Sequence, residues 1–328
     1  MLLGIVSGLM AGALWGLTFV APLAVMPFSA IDLAVARYLI FGLTSLLLML
    51  HPAFRPRGIT RAQFLTALML GITGYVSYYI CAAYAVQLAG SAIPPLIIGA
   101  LPVLLAIIGN WSDRDVPWGR LALPVSLIAL GIGIVNGAAL MEIQSLASLS
   151  RLLLGVGCAL AALLIWIVYA VLNARTMRGK NAPGSLPWTG LQGIGAGLGV
   201  LPLIPLSWLT ETSALPHYAL HSTEAIRFWI WAAVLGIAGS WLATWFWIVA
   251  SKRLPLALSA QLIVTETAFA LIYGFTYAHR LPSAAEWIGI GVQLIGVTMA
   301  VALFTRKKQK AREVVPDGVT PAAEAPAV

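Results

Sequence analysis

The sequence predicts an all-α, polytopic membrane protein: ten transmembrane helices in a 5+5 inverted-topology repeat, with both termini in the cytoplasm. Three observations lead there. Of 328 residues, 60% are hydrophobic and only 9% charged, and no single soluble core could bury so much apolar sequence. Apolar runs of the ~20 residues that a helix needs to cross a bilayer recur along the chain. The basic residues between those runs fall on alternate loops. Disorder is excluded over most of the length, because apolar residues dominate nearly every window. Cys81 and Cys158 both sit inside apolar runs, so they read as neither a disulfide scaffold nor a zinc site.

The first run, residues 3–25, has no Lys or Arg before it and no small-residue cleavage site after it. It reads as a retained span and not as a signal peptide. The others are 31–50, 62–87, 91–111, 118–140, 152–174, 186–209, 225–250, 256–278 and 284–304. All are long and continuously apolar, unlike the short alternating strands of a membrane β-barrel. Arg55, Arg57 and Arg61 follow span 2, and Arg114 and Arg120 follow span 4. Arg175, Arg178 and Lys180 follow span 6, Lys252 and Arg253 follow span 8, and a basic cluster at 306–312 follows span 10. The opposite loops hold only Arg151, Arg227 and Arg280. This asymmetry puts the basic loops and both termini in the cytoplasm. It also accounts for the net charge of +8 through topology and anionic lipid, with no nucleic-acid partner.

The halves resemble each other. Leu2-Leu3-Gly4 and Trp15 recur as Leu153-Leu154-Gly155 and Trp166 at one fixed offset, which Leu9/Leu160, Ala11/Ala162 and Val20/Val171 keep. Gly71-Ile72-x-Gly74 recurs as Gly236-Ile237-x-Gly239 at a longer offset, shared by Gly131/Gly296 and Ala92/Ala257. One longer loop between spans 7 and 8 explains the step. Residues 1–150 form the first five-helix repeat, 151–305 the second, and 306–328 a basic, then disordered, cytoplasmic tail. Five spans is an odd number, so the second copy enters the membrane from the other side, a recurrent plan of secondary transporters.

Several features together resemble a known family. These are the ten spans in two halves, Ala13-Leu14-Trp15-Gly16, Arg37 early in span 2, and Leu88-Ala89-Gly90-Ser91-Ala92 ahead of Leu101-Pro102. They resemble the EamA-type branch of the drug/metabolite transporter superfamily over residues 3–304. The second half departs from the family pattern at Glu266-Thr267, where a Glu-Pro pair is usual, and at His279-Arg280, where an acidic residue is usual. The resemblance implies a multi-pass protein of the bacterial inner membrane that exports small metabolites by alternating access. The overall pattern is most similar to exporters of amino acids, including aromatic ones.

Glu266 is the sharpest chemical signal. It lies ten residues into span 9, about 15 Å deep at ~1.5 Å per residue, where a carboxyl group costs several kcal/mol unless paired, hydrated or protonated. Gln261 is a polar neighbour on the same span. Arg37, about two turns into span 2, can reach an anionic solute group or snorkel to the headgroups. Trp15, Tyr78, Tyr79, Trp166, Tyr169, Trp241, Thr244 and Trp245 are the other candidates for lining a solute cavity, since polar-tipped rings inside a span suit one. Pro102, in mid-span 4, is the hinge candidate. The glycines at 4, 8, 12 and 16 share one face of span 1 and allow another backbone to approach. Those of span 7 and of span 5, at 131, 133 and 137, read as packing glycines.

His217, His221 and Glu224 have helical spacing but read as a solvated loop face, so no metal and no cofactor is expected. The alternatives are a transporter of nucleosides or organic cations, and a polytopic membrane enzyme. The enzyme would need a compact catalytic set that the spans do not display. The expected partners are a small-molecule substrate and membrane lipid, with the chain acting as a monomer.

Overall fold

The computed structural model describes residues 2–113, 117–141, 145–177, 181–253 and 256–313. Among them every regular element is helical. Helix α1 (Leu2–Gly16) tightens into a 3-10 turn at Leu17–Phe19, and the short α2 (Ala21–Ala24) follows. Helix α3 (Ala30–Leu48) begins with a capping box, in which Ser29 Oγ accepts from the Asp32 amide and Asp32 accepts from the Ser29 amide. Two of the four orphan amides of a helix start are satisfied in this way. Helix α4 (Arg61–Leu70) starts on a second box, Thr60 with Gln63. It continues through a π-helical segment, Gly71–Ser77, into α5 (Tyr78–Ala89), which stops at Gly90 with φ 79°.

The predicted fourth span is interrupted. Helix α6 (Ile93–Ile98) and α7 (Leu101–Asp113) meet at Gly99–Ala100. Helices α8 (Trp118–Met141) and α9 (Leu146–Met177) are continuous, with the expected repeat boundary falling inside α9. Helix α10 (Ser185–Val200) bends at Leu201–Pro202 into α11 (Leu203–Leu209). Helix α12 (Thr223–Ala233) runs through a second π-helical segment, Val234–Leu242, into α13 (Ala243–Arg253); α14 (Leu256–Tyr277) and α15 (Ala284–Glu313) complete the chain. The Gly-Ile-x-Gly motifs at 71–74 and 236–239 each fall within a π segment.

Among the described residues, eight helical stretches are long and apolar enough to cross a membrane. The interrupted α6–α7 pair and the 22-residue α14 occupy the other two predicted positions. Exposed leucines such as Leu43, Leu47, Leu130, Leu154 and Leu164 face outward as a lipid-contacting surface requires. The chain is a multi-pass membrane protein.

Packing follows the glycines. Helix α1 lies against α13 and α14, α3 against α10, α5 against α9, and α8 against α15. A Cβ on Gly12 would come 3.1 Å from the amide nitrogen of Glu266, and one on Gly16 would come 2.9 Å from that of Ala270. The glycine stripe of α1 is therefore the surface on which the Glu266 helix rests. On α10, Gly193 and Gly197 admit α3, and Gly195 and Gly199 admit α4 and the first π segment. On α8, Gly131 meets Gly289 of α15, whereas Gly133 and Gly137 face open space within 4 Å. The last two are not packing glycines, which corrects the sequence reading.

Candidate functional site

A cavity of about 370 Å³ opens among the helices, lined from α1, α3, both π segments, α5, α6, α7, α9, α10, α13 and α14. That volume lies within the range of small-molecule sites. The lining extends to the end of the bundle where α9 stops and α10 starts, at Met177 and Ser185. The opposite end is packed shut. There Phe28, fully buried, sits 4.6 Å from Phe228 and 5.1 Å from Tyr218, centre to centre.

Backbone carbonyls of residues 22–28 are fastened at that closed end. Gln87 Nε2 donates to the carbonyls of Pro22 and Phe28, each at 3.2 Å. Arg227 Nη2 donates to Met26 at 2.6 Å, and Tyr277 Oη to Leu23 at 3.1 Å. Nearby, Ser213 Oγ donates to Asp32 Oδ1 at 2.5 Å, so the capping carboxylate also ties down the loop before α12. Such short contacts to a charged acceptor are among the stronger hydrogen bonds.

Seven of the residues singled out from sequence meet around the cavity: Trp15, Arg37, Tyr78, Trp166, Tyr169, Thr244 and Glu266. The Trp166 ring stacks on Tyr169 at 4.7 Å and lies 4.6 Å from Tyr78, forming one aromatic wall. Tyr169 Oη donates to Gln192 Oε1 at 2.9 Å. Gln192 Nε2 and Trp188 Nε1 both donate to Asn173 Oδ1, at 3.0 and 2.7 Å. The wall therefore has fixed rotamers and a satisfied polar floor.

Three predicted residues lie elsewhere. Tyr79 is fully buried behind the lining, with its ring under the Arg37 guanidinium. Trp241 is buried, only 6% exposed, between Phe41 and Phe54, and donates to Ser45 Oγ at 3.2 Å. Trp245 is 47% exposed on the outside of the bundle. A regular helix projection puts Trp241 with Thr244, but the π segment that contains Trp241 has wider turns. It brings Gly239 and Ser240 to the cavity in place of Trp241. The side chains of Gln261 and Pro102 lie outside the described residues. The interruption of span 4 falls just ahead of Pro102, at Gly99–Ala100.

The sequence reading missed Thr18, Trp188, Gln192, Trp247 and Thr267, which also line the cavity. Gln192, an amide in the middle of an apolar run, was a readable signal. Trp188 stands at the fixed offset from Arg37. Among the described residues, no three His, Cys, Asp or Glu side chains gather as a metal group, and His217 and His221 are exposed.

Residues 153–302 match the family model described as EamA-like transporter family. The Inner membrane protein YtfF of Escherichia coli (strain K12) is 33% identical over 312 residues, spanning 92% of this chain and 95% of that protein. A solved crystal structure superposes with a TM-score of 0.60 at 19% identity, over 93% of this chain and 98% of the other. That last likeness speaks for the fold alone.

Proposed function

The chain belongs to the EamA-like transporter family, and on that premise we propose that it is a secondary transporter, not an enzyme, exporting small metabolites, namely amino acids including aromatic ones, across a bacterial inner membrane. The observation that carries this reading is the central cavity, with Glu266 and Arg37 in one lining beside the Trp166–Tyr169–Tyr78 wall. A carboxylate suits an ammonium group, and the rings suit an apolar or aromatic side chain.

The contacts support ten spans in two inverted repeats. Helix α1 meets α13 as α9 meets α5, and α1 meets α14 as α9 meets α6. Pairs α3·α10 and α8·α15 each map onto themselves when the halves are exchanged. At residue level, Gly131 packs on Gly289, and its counterpart Gly296 packs on Pro124, the counterpart of Gly289. With the basic loops in the cytoplasm, the open end at Met177 and Ser185 faces inward, the orientation from which an exporter loads.

Glu266 then couples transport to protons. Protonation and ammonium binding compete for one carboxylate, so each weakens the other by the same factor. On the acid side of its titration, each pH unit weakens amine binding about tenfold. Glu266→Gln, a neutral amide in place of the acid, should insert and fold yet lose that slope. The test is amino-acid flux in proteoliposomes against an imposed pH gradient, with wild type beside the variant. Identical pH dependence in the two would make Glu266 a structural hydrogen-bonding residue.

A further inference from the structure

The cavity lining holds a cation, Arg37, that no carboxylate among the described residues pairs with. Arg37 is only 5% exposed, and its Nε and Nη1 are buried with no hydrogen-bonding partner among the described residues. Its guanidinium carbon lies 4.4 Å from the Tyr79 ring centre and 5.2 Å from that of Tyr38. The rings offset part of the charge through their faces and fix the side chain, but they supply no counter-charge. Glu266 shares the lining without forming an ion pair with Arg37; the ion pair described joins Arg280 to Glu286, far along the chain. An ionised group buried without a counter-charge is costly, and a guanidinium in the lining suits a carboxylate.

The repeat sharpens the point. Its fixed offsets pair Trp15 with Trp166 and Gly74 with Gly239, and all four line the cavity. Arg37, however, is paired with Trp188, and Glu266 with Leu101. An otherwise two-fold lining thus carries one positive charge from the first half and one negative charge from the second. That asymmetry can sense the direction of a zwitterion.

We infer that Arg37 is the seat of the substrate's carboxylate, and that Glu266 takes the ammonium end. The inference rests on the transporter reading given above and assigns each pole of the solute to a named residue. It requires a solute bearing a planar anionic group, whatever its side chain.

Binding of three probes to the purified protein in lipid nanodiscs tests the assignment: L-phenylalanine, L-phenylalaninamide, which lacks the carboxylate, and benzoate, which lacks the amine. Arg37→Gln should weaken L-phenylalanine and benzoate by ~10-fold or more, the loss of charge-assisted hydrogen bonds. L-phenylalaninamide should bind wild type and variant alike. Benzoate binding that disappears in Arg37→Gln, with no L-phenylalanine bound by either protein, would keep the carboxylate seat and sink the amino-acid reading. Weakening of all three probes equally, or of none, would overturn the seat, as would a wild type that binds neither carboxylate. Because removing a buried cation can cost the fold, Arg37→Lys is measured in parallel. It keeps the charge, and a folded Arg37→Lys protein that binds benzoate no better than Arg37→Gln would overturn the seat.

Discussion

Gln293 tests how the interrupted fourth span is held together. At the interruption the Ala100 amide turns to the Ile97 carbonyl at 3.2 Å, which releases the Leu96 carbonyl from its helical partner. Gln293, 1% exposed on α15, donates Nε2 to that oxygen at 2.5 Å. Irregular backbone at membrane depth needs such a donor, because no water is there to replace it. Gln293→Leu keeps a side chain of similar bulk and removes the bond. Leaving a buried carbonyl unpaired costs about 1–3 kcal/mol. Two facts reduce the loss: Gln293 Oε1 is itself buried without a partner among the described residues and vanishes in the variant, and hydrogen bonds inside membranes average only about 0.6 kcal/mol. The expected net destabilisation is ~1 kcal/mol, roughly a fivefold change in the folded-to-unfolded ratio. Gln293→Asn, one methylene shorter, should be worse, because it keeps the amide and loses the reach. Unfolding in mixed detergent micelles, followed by tryptophan fluorescence, measures all three proteins. A Gln293→Leu protein as stable as wild type would mean that the Leu96 carbonyl is satisfied without α15.

Gly12→Ala should lower the thermal midpoint, since its Cβ would sit 3.1 Å from the Glu266 amide nitrogen, and such overpacking costs about 1–3 kcal/mol. Gly133→Ala, with nothing within 4 Å, should be neutral or stabilising by up to ~1 kcal/mol through helix propensity; equal effects at the two sites would contradict the packing of α1 on α14. Gln87→Leu removes two bonds from the closed end, so a cysteine placed at the buried Val25, in a background lacking Cys81 and Cys158, should react roughly tenfold faster with an impermeant maleimide. An unchanged rate would show that the aromatic packing alone keeps that end shut. Reporters fused after Val328 or inserted near Gly179 should prove cytoplasmic and one near Thr212 external, and any exchange among them would undo the inverted topology.

The spans were readable because bilayer thickness imposes a length that apolar runs display directly. Glu266 and Arg37 stood out for the same reason: a charge inside such a run has few bland explanations. The aromatics were harder. Trp241, Trp245 and Trp247 are chemically alike and nearly adjacent, yet the structure sends one into the core, one outward and one to the cavity. Only the helix register separates them, and the Gly-Ile-x-Gly motif that marks the π segment reads equally well as helix packing. The interruption at Gly99–Ala100 was legible to within two residues through Pro102. The donor that stabilises it, on a helix nearly two hundred residues away, was not.

The two π-helical segments also carry a consequence for how this protein can be edited. A wide turn of this kind behaves like the footprint of a single inserted residue. Deleting one residue from within Gly71–Ser77 would let the helix relax to regular winding at about 100° per residue, and both flanks would keep the faces they present now. In most membrane helices a one-residue deletion turns the whole downstream face. Here the wide turn absorbs the loss, so α4 stays seated on α10 while Tyr78 keeps its place in the aromatic wall. The segment at Val234–Leu242 offers the same tolerance ahead of Thr244 and Trp247. A protein shortened by one residue inside either segment should therefore keep its cavity lining, whereas the same cut elsewhere in these helices should not.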